Sequence, residues 1–259
     1  MKNNDSLSFA IVTHNNQDQI VETLLSLIDA VDNMWPYEVF IIDNESTDET
    51  VERINEMNFG FVHIISSKNR GFGFGHNAVL NRLNSTYHFI VNPDIRLKDK
   101  KSLSKMIEYM NFNREVGMLS PLILNEDGSI QHLFRKKPTV LDAFIRFAGK
   151  NVLPERQKNF INLNSGYNKI LPIENASGSF MLIRTNIFKE VKGFDERFFM
   201  YYEDSDLTRK VNEISTAMFV PTVSVVHKWE RANKKNIKYS LIMIGSLYKY
   251  MRKWGWSFW

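Results

Sequence analysis

Residues 38–57 read EVFIIDNESTDETVERINEM. Glu38–Ile42 predicts a strand that stops on the carboxylate of Asp43. A polar turn follows, and Thr47–Met57 predicts a helix with Ser46 as N-cap and Glu49 three residues beyond it. Strand, acid and capped helix make one βα unit, and the same unit recurs around it. Leu7–Thr13 is an apolar strand, and Gln17–Ala30 has helical spacing at Ile20, Leu24, Leu27 and Ile28. Phe61–Ile65 predicts a third strand, then a glycine-rich loop and a helix near Gly75–Leu83. His88–Val91 predicts a fourth strand, and Lys100–Asn113 another helix. Strands alternating with helices imply an α/β fold, with a mostly parallel sheet covered on both faces.

The second half is less regular. Asn125-Glu126-Asp127-Gly128 is a turn signal, Thr139–Ala148 reads as a helix, and Lys150–Ile170 is polar and irregular and reads as a flexible or substrate-covering segment. Gly178–Arg184 predicts a strand and Asp204–Glu213 a helix. Ala217–Val220 and Val223–Val226 predict two short strands, and Lys235–Lys253 a terminal helix.

The chain has 259 residues, 43% of them hydrophobic, enough for one large α/β domain. It has no cysteine, which excludes a disulfide framework and any thiolate ligand or nucleophile. Met1–Asp5 is polar, so no secretory leader is expected. No run approaches the roughly 20 apolar residues of a membrane span. The net charge of +4 is unevenly placed. Residues 228–259 hold eight Lys or Arg against a single acid, a local +7 that leaves the remainder at −3. Four of the five tryptophans, Trp229, Trp254, Trp256 and Trp259, lie in the same stretch.

Ligands of open α/β sheets bind beyond the carboxyl ends of strands. Four such ends are polar: Thr13-His14-Asn15, Asp43-Asn44-Glu45-Ser46, Ser67-Lys68-Asn69-Arg70 and Asn92-Pro93-Asp94. One polar end is an ordinary turn; four on one sheet edge favour a site. The run from Asn69 through Gly71 to His76 and Asn77 is glycine-rich and leads into a helix. It allows close backbone approach, but it has neither a Walker lysine nor a dinucleotide fingerprint. Asn92-Pro93-Asp94 is either a Pro-Asp turn or a one-carboxylate site for Mg²⁺ or Mn²⁺, with phosphate and water supplying the other oxygens. Glu203, Asp204 and Asp206 are three acids in four residues entering a helix. They suit the helix dipole, and behind the aromatic run Phe194–Tyr202 they also suit a general base. His227 ends a short apolar strand and is a structural histidine or a metal ligand.

In order, Val12-Thr13-His14-Asn15, Asp43-Asn44-x-Ser46-x-Asp48, Asn69-x-Gly71-Phe72-Gly73-x-Gly75-His76-Asn77, Asn92-Pro93-Asp94, Ala176-Ser177-Gly178-Ser179-Phe180-Met181 and Gly193-Phe194-Asp195-Glu196 through Glu203-Asp204-x-Asp206-Leu207, closed by His227, resemble the inverting glycosyltransferases of family 2. Their fold is GT-A, with a Rossmann-like sheet. More narrowly, the set resembles the bacterial rhamnosyltransferases of O-antigen and cell-wall assembly, a likeness shared by Phe134-Arg135-Lys136-Lys137-Pro138. The shortened Asn92-Pro93-Asp94 departs from the family's Asp-x-Asp.

The resemblance implies roles. Asp43 reads the base of a nucleotide-sugar donor. Thr13, Asn15, Asn44, Asn69, Gly71, His76, Asn77 and Asn92 line the nucleotide, and Asp94 and His227 hold a divalent metal, Mg²⁺ or Mn²⁺, on the diphosphate. Asp204 is the catalytic base, with Glu203 as runner-up and acceptor-orienting group; Gly178 and Arg135 lie on the acceptor side. The implied donor is dTDP-β-L-rhamnose and the implied acceptor a polyprenyl-diphosphate-linked sugar. UDP-galactofuranose and UDP-GlcNAc are rival donors, and a non-catalytic nucleotide-sugar-binding or membrane adaptor is the rival outside the class.

The division expected is a catalytic domain over 1–230 and a basic, aromatic helix over 231–259. Lys234, Lys235, Lys238, Lys249, Arg252 and Lys253 surround Leu241, Ile242, Ile244 and Leu247, the composition of a helix lying on a membrane surface. The competing reading is a terminal helix packed on the core. Nucleic-acid binding by this tail leaves the acidic centre unexplained, so no nucleic-acid partner is expected. The location expected is the cytoplasm, peripheral on the inner face of the cytoplasmic membrane.

Overall fold

The computed structural model describes residues 5–149, 151–228 and 237–259. Four strands, β1 (Leu7–Thr13), β2 (Tyr37–Asp43), β3 (Val62–Ser66) and β4 (Tyr87–Val91), lie parallel in the order β3-β2-β1-β4. Every residue of β1 and β4 is buried. Strands covered on both faces read as continuous apolar runs rather than alternating ones, which is why these were legible. Along β1, Leu7, Phe9 and Ile11 face a core that they share with α1 (Ile20–Val31) and α4 (Ser102–Phe112). Ala10 and Val12 face the opposite core, with α7 (Thr185–Glu190) and α8 (Glu203–Ile214).

Beyond β4 the sheet continues through β8 (Phe180–Arg184), β6 (Val116–Leu124), β9 (Thr216–His227) and β5 (Ile95–Arg96). Strand β8 runs antiparallel to β4 and β6, whereas β6 and β9 are parallel. The short β7 (Leu171–Pro172) pairs with β9.

Several boundaries differ from expectation. Strand β6 has no counterpart in the sequence reading, because Gly117, Ser120 and Pro121 interrupt its apolar run. The two short strands expected over 217–226 are one strand, β9. Its register jumps over residues 221–223, a bulge that begins at Pro221, which has no N–H for the ladder. Helix α2 (Thr50–Glu56) starts later than Thr47, because Asp48 rather than Ser46 takes a first-turn N–H: its Oδ1 accepts from Thr50 N at 3.0 Å. Ser46 Oγ instead accepts from Asn15 N at 3.0 Å. Helix α3 (Phe72–Asn77) begins earlier than Gly75. Helix α5 (Val140–Ala148) is capped by Thr139, as its sequence suggests. The segment expected to be irregular holds α6 (Pro154–Phe160) and a 3₁₀ turn at Leu163–Ser165; Lys150 lies outside the described residues.

Helix α9 (Ile237–Trp254) closes the chain. Its expected start at Lys235, the boundary at 230, and Trp229 and Lys234 lie outside the described residues. Tyr250 and Met251 pack with Phe198, Tyr202 and Trp254. The opposite stripe, Ile237, Leu241, Ile244 and Tyr248, is exposed.

Candidate active site

The carboxyl ends of β1, β2 and β3 stand side by side: Thr13 pairs with Asp43, and Asp43 with Ser66. The loops beyond them bind one another. Asn44 N donates to Thr13 O at 2.9 Å, Thr47 N to Asn15 Oδ1 at 2.8 Å, and Asn69 N to Glu45 Oε2 at 3.1 Å. Asp43 is buried and, among the described residues, accepts from Ser46 N, at 3.3 Å to each oxygen. Asn44 Oδ1 is buried with no partner among the described residues. This edge therefore holds a carboxylate and an amide oxygen with acceptor capacity to spare.

The glycines of the next loop make close approaches to protein. Gly71 has φ +110°, and a Cβ there would stand 2.1 Å from Phe199 O. A Cβ on Gly73 would meet Phe194 at 2.7 Å, and one on Gly75 would meet Val12 at 2.8 Å. Phe72 N donates to Phe199 O at 3.1 Å. The loop thus docks the 193–202 run against the sheet. His76 and Asn77 face inward. His76 is fully buried between Phe72 and Phe194, and burial, reinforced by His88, holds its imidazole well below the usual range. Asn77 brackets Phe194, accepting from its N–H at 2.8 Å and donating to its carbonyl at 2.9 Å. Neither side chain joins the polar edge.

A cleft of about 340 Å³ brings together Asn92, Arg135, Gly178, Glu203, Asp204 and His227 from five separate parts of the chain. Tyr201 and Tyr202 both have positive φ, uncommon for bulky residues, and turn the chain sharply into α8. Helix α9 holds that turn: Ser246 Oγ donates to Met200 O at 2.8 Å, and the Tyr250 ring lies 5.8 Å from that of Tyr202. The two acids at the head of α8 differ. Asp204 accepts from Gly178 N at 3.2 Å and from Ser205 N at 2.7 Å, which fixes its carboxylate. Glu203 is buried, and its Oε2 has no partner among the described residues. Burial, then the neighbouring Asp204 charge, pushes its carboxyl well above the usual range, so it holds its proton more firmly than an exposed glutamate.

Asp94 follows β4 and His227 ends β9, yet Asp94 Oδ1 lies 3.3 Å from His227 Nε2. That oxygen is buried and makes no hydrogen bond among the described residues. Among the described residues no third His, Asp or Glu joins them. One carboxylate oxygen and one imidazole nitrogen, both without a strong partner, fit a divalent cation whose other ligands are phosphate and water oxygens.

Two participants escaped the sequence reading. Asn175 Oδ1 accepts from Ser205 Oγ at 2.7 Å, and Gln131 contacts His227. Their only signal was polarity within stretches that otherwise read as turn and strand; their partners lie on β9 and α8.

The family model of glycosyl transferase family 2 matches residues 8–192. The N-acetylglucosaminyl-diphospho-decaprenol L-rhamnosyltransferase of Mycobacterium tuberculosis is 28% identical over 240 residues, covering 86% of this chain and 76% of that protein. The rhamnosyltransferase WbbL of Escherichia coli K12 is 28% identical over 234 residues, covering 86% and 84%. Among solved structures, the mannosyltransferase PcManGT of Pyrobaculum calidifontis, in complex with GDP-Man and Mn²⁺, superposes with a TM-score of 0.65 at 15% identity, over 95% of this chain and 63% of that one. GalNAc-T7 with UDP, GalNAc and Mn²⁺ gives 0.72 at 14% identity, over 97% and 48%. The chain thus spans less than two thirds of either solved protein. With the GT-A fold and the family model in agreement, this chain belongs to glycosyl transferase family 2.

Proposed function

We propose that this protein transfers L-rhamnose from dTDP-β-L-rhamnose, with inversion, to a hydroxyl of a lipid-diphosphate-linked sugar such as GlcNAc, in bacterial surface polysaccharide synthesis. The observation that carries this reading is the shared cleft. Its lining combines the acids at the head of α8 with Asn92, His227 and Arg135. The names of the mycobacterial and E. coli relatives support the sugar and the acceptor class.

In this reading Asp43, with Asn44, meets the base of the donor, and Thr13, Asn15 and Asn69 shape that edge. Asp94 and His227 would hold Mg²⁺ or Mn²⁺, which would supply positive charge to the donor diphosphate. Asp204 takes the proton of the acceptor hydroxyl as its oxygen attacks the anomeric carbon. The carbon–oxygen bond to the diphosphate breaks on the opposite face, and its electron pair leaves with dTDP. One displacement inverts the centre, so the product is an α-L-rhamnoside. Glu203, protonated, donates to the acceptor and orients it. Gly178 fixes Asp204 through its N–H, and Arg135 faces the acceptor diphosphate.

The terminal helix serves both readings of the tail. One face packs on Tyr202, and the other exposes Ile237, Leu241, Ile244 and Tyr248, continued by Trp256, Phe258 and Trp259. Basic residues flank this apolar, aromatic stripe, which suits a peripheral position on an anionic membrane surface, the cytoplasmic face, where the acceptor is anchored. No described helix is long and apolar enough to cross a membrane.

The test is a transfer assay on a prenyl-diphosphate-GlcNAc acceptor, offering dTDP-rhamnose, UDP-GlcNAc and UDP-galactofuranose, with Mn²⁺ or with EDTA. The expected result is a rhamnose mass gain from dTDP-rhamnose alone, lost in EDTA, with the product in the α configuration by NMR. Asp204→Asn should lower turnover by about 10²–10⁴-fold while dTDP still binds. Transfer from a UDP-sugar but not from dTDP-rhamnose would overturn the donor. Nucleotide binding with no transfer from any donor favours the adaptor reading.

A further inference from the structure

Gln131 lies just beyond the 125–129 turn and is buried against the end of β9, with N–H to Ile123 O at 2.9 Å. Its side-chain Nε2 donates to Asn125 Oδ1 at 2.9 Å and to the main-chain carbonyl of His227 at 2.8 Å. A carbonyl oxygen only accepts, so the second bond fixes which end of the amide is NH₂. The remaining atom, Oε1, lies 3.0 Å from His227 Nδ1. An amide oxygen also only accepts, so the ring proton must sit on Nδ1. In the neutral ring, Nε2 then carries the lone pair. It faces Asp94 Oδ1 at 3.3 Å, and Asn92 Nδ2 stands 3.5 Å from it. With the ring neutral, two acceptors held that close repel one another unless a cation lies between them.

We infer that Gln131 is a positioning residue: by gripping His227 at both ring and carbonyl, it selects the Nδ1–H tautomer and aims Nε2, with Asp94, at a divalent cation. This rests on the metal role given above to Asp94 and His227, and extends it to a residue that the motifs quoted above do not include. A ligating histidine needs its other nitrogen engaged, both to hold the ring and to settle the tautomer. The 125–131 turn thereby becomes part of the cation site, although it contributes no ligand.

The test has two readouts independent of turnover. In metal-free protein labelled with ¹⁵N-histidine, at about pH 8 where an ordinary imidazole is neutral, long-range ¹H–¹⁵N correlation reports the tautomer of His227, assigned by loss of its signals in His227→Asn. The wild type should show the proton on Nδ1. Gln131→Met should move it toward Nε2, and Gln131→Glu, which keeps an acceptor at Nδ1, should hold it. Mn²⁺ titration in the presence of dTDP, followed by the EPR signal of free Mn²⁺, should show about a 10–100-fold weaker affinity in Gln131→Met. An Nε2–H tautomer in the wild type overturns the inference, whatever the variants do. If Asp94→Asn and His227→Asn weaken Mn²⁺ binding but Gln131→Met does not, Gln131 loses its role and the metal site stands. If neither ligand variant weakens binding, the metal role falls and takes this inference with it.

Discussion

Lys253 Nζ lies 2.7 Å from one carboxylate oxygen of Asp206 and 2.9 Å from the other. Asp206 is on α8, two residues beyond Asp204, and has no exposed surface. Trp254 Nε1 adds a bond to it at 2.7 Å, and Lys210 Nζ, whose ammonium is brought down to about 8 chiefly by burial, stands 4.0 Å away. The last helix is therefore bolted to the helix that carries the candidate catalytic acids.

Removing the lysine leaves a buried carboxylate short of its main cation. Breaking one side of such a pair costs about 3 kcal/mol; Trp254 and Lys210 remain. Lys253→Met should lower the melting temperature by about 6–12 °C, since 1 kcal/mol corresponds to about 2–4 °C in a chain of this size. Lys253→Arg should lose less. Thermal unfolding by circular dichroism checks both, and an unchanged melting temperature in Lys253→Met would mean that the contact contributes nothing.

Glu203 predicts that stability depends on pH. Its folded carboxyl keeps a proton that the unfolded chain releases near 4.5. The folded state then binds more protons, so this group's contribution falls as pH rises above 4.5. Glu203→Gln removes that slope. The variant should melt higher than wild type at pH 7, by about 3 °C for each kcal/mol recovered, and equally at pH 4. It should retain much of the transfer activity, in contrast to Asp204→Asn. The reverse pattern in turnover would make Glu203 the base.

His88 is buried against Phe188, with Nδ1 2.8 Å from Ser8 Oγ and Nε2 unpartnered. Burial brings its imidazole down from 6.5 to about 3. The unfolded chain binds a proton that the folded state refuses, so stability is complete above 6.5 and declines as the pH falls toward 3. Each pH unit in that window costs at most about 1.4 kcal/mol. His88→Phe can keep the stacking, and Ser8 retains Ser85 Oγ at 2.7 Å. Urea unfolding between pH 6.5 and 5 should show the variant losing about 2 kcal/mol less than wild type. Parallel losses in the two proteins would show that His88 is not the group that titrates.

The βα alternation was legible because each signal was local. A strand covered on both faces is a short apolar run, and the helices after β1 and β2 repeat their apolar positions within a few turns. The polar residues ending those strands follow directly, so Thr13, Asp43 and Asp94 could be placed on one edge from the chain alone. Strand β6 and the bulge at Pro221 were not legible, because pairing partners stabilise them where local composition does not. The glycines at 71, 73 and 75 announced a close approach but not its partner, which is the 194–199 run.

The sequence by itself determined which groups are candidates for chemistry and in what order: the acids at 43, 94, 203 and 204, and the histidine at 227. Tertiary structure alone decided how each group is presented. Burial beside Asp204 keeps Glu203 protonated, and Gly178 holds Asp204 in place. The turn into α8 is pinned by a helix from the other end of the chain. The tautomer of His227 is set by Gln131, which meets it only when β9 is laid beside the 125–131 segment. The reason is physical. Hydrophobic periodicity is a property of neighbouring residues, whereas desolvation and hydrogen-bond polarity belong to surroundings that only folding assembles.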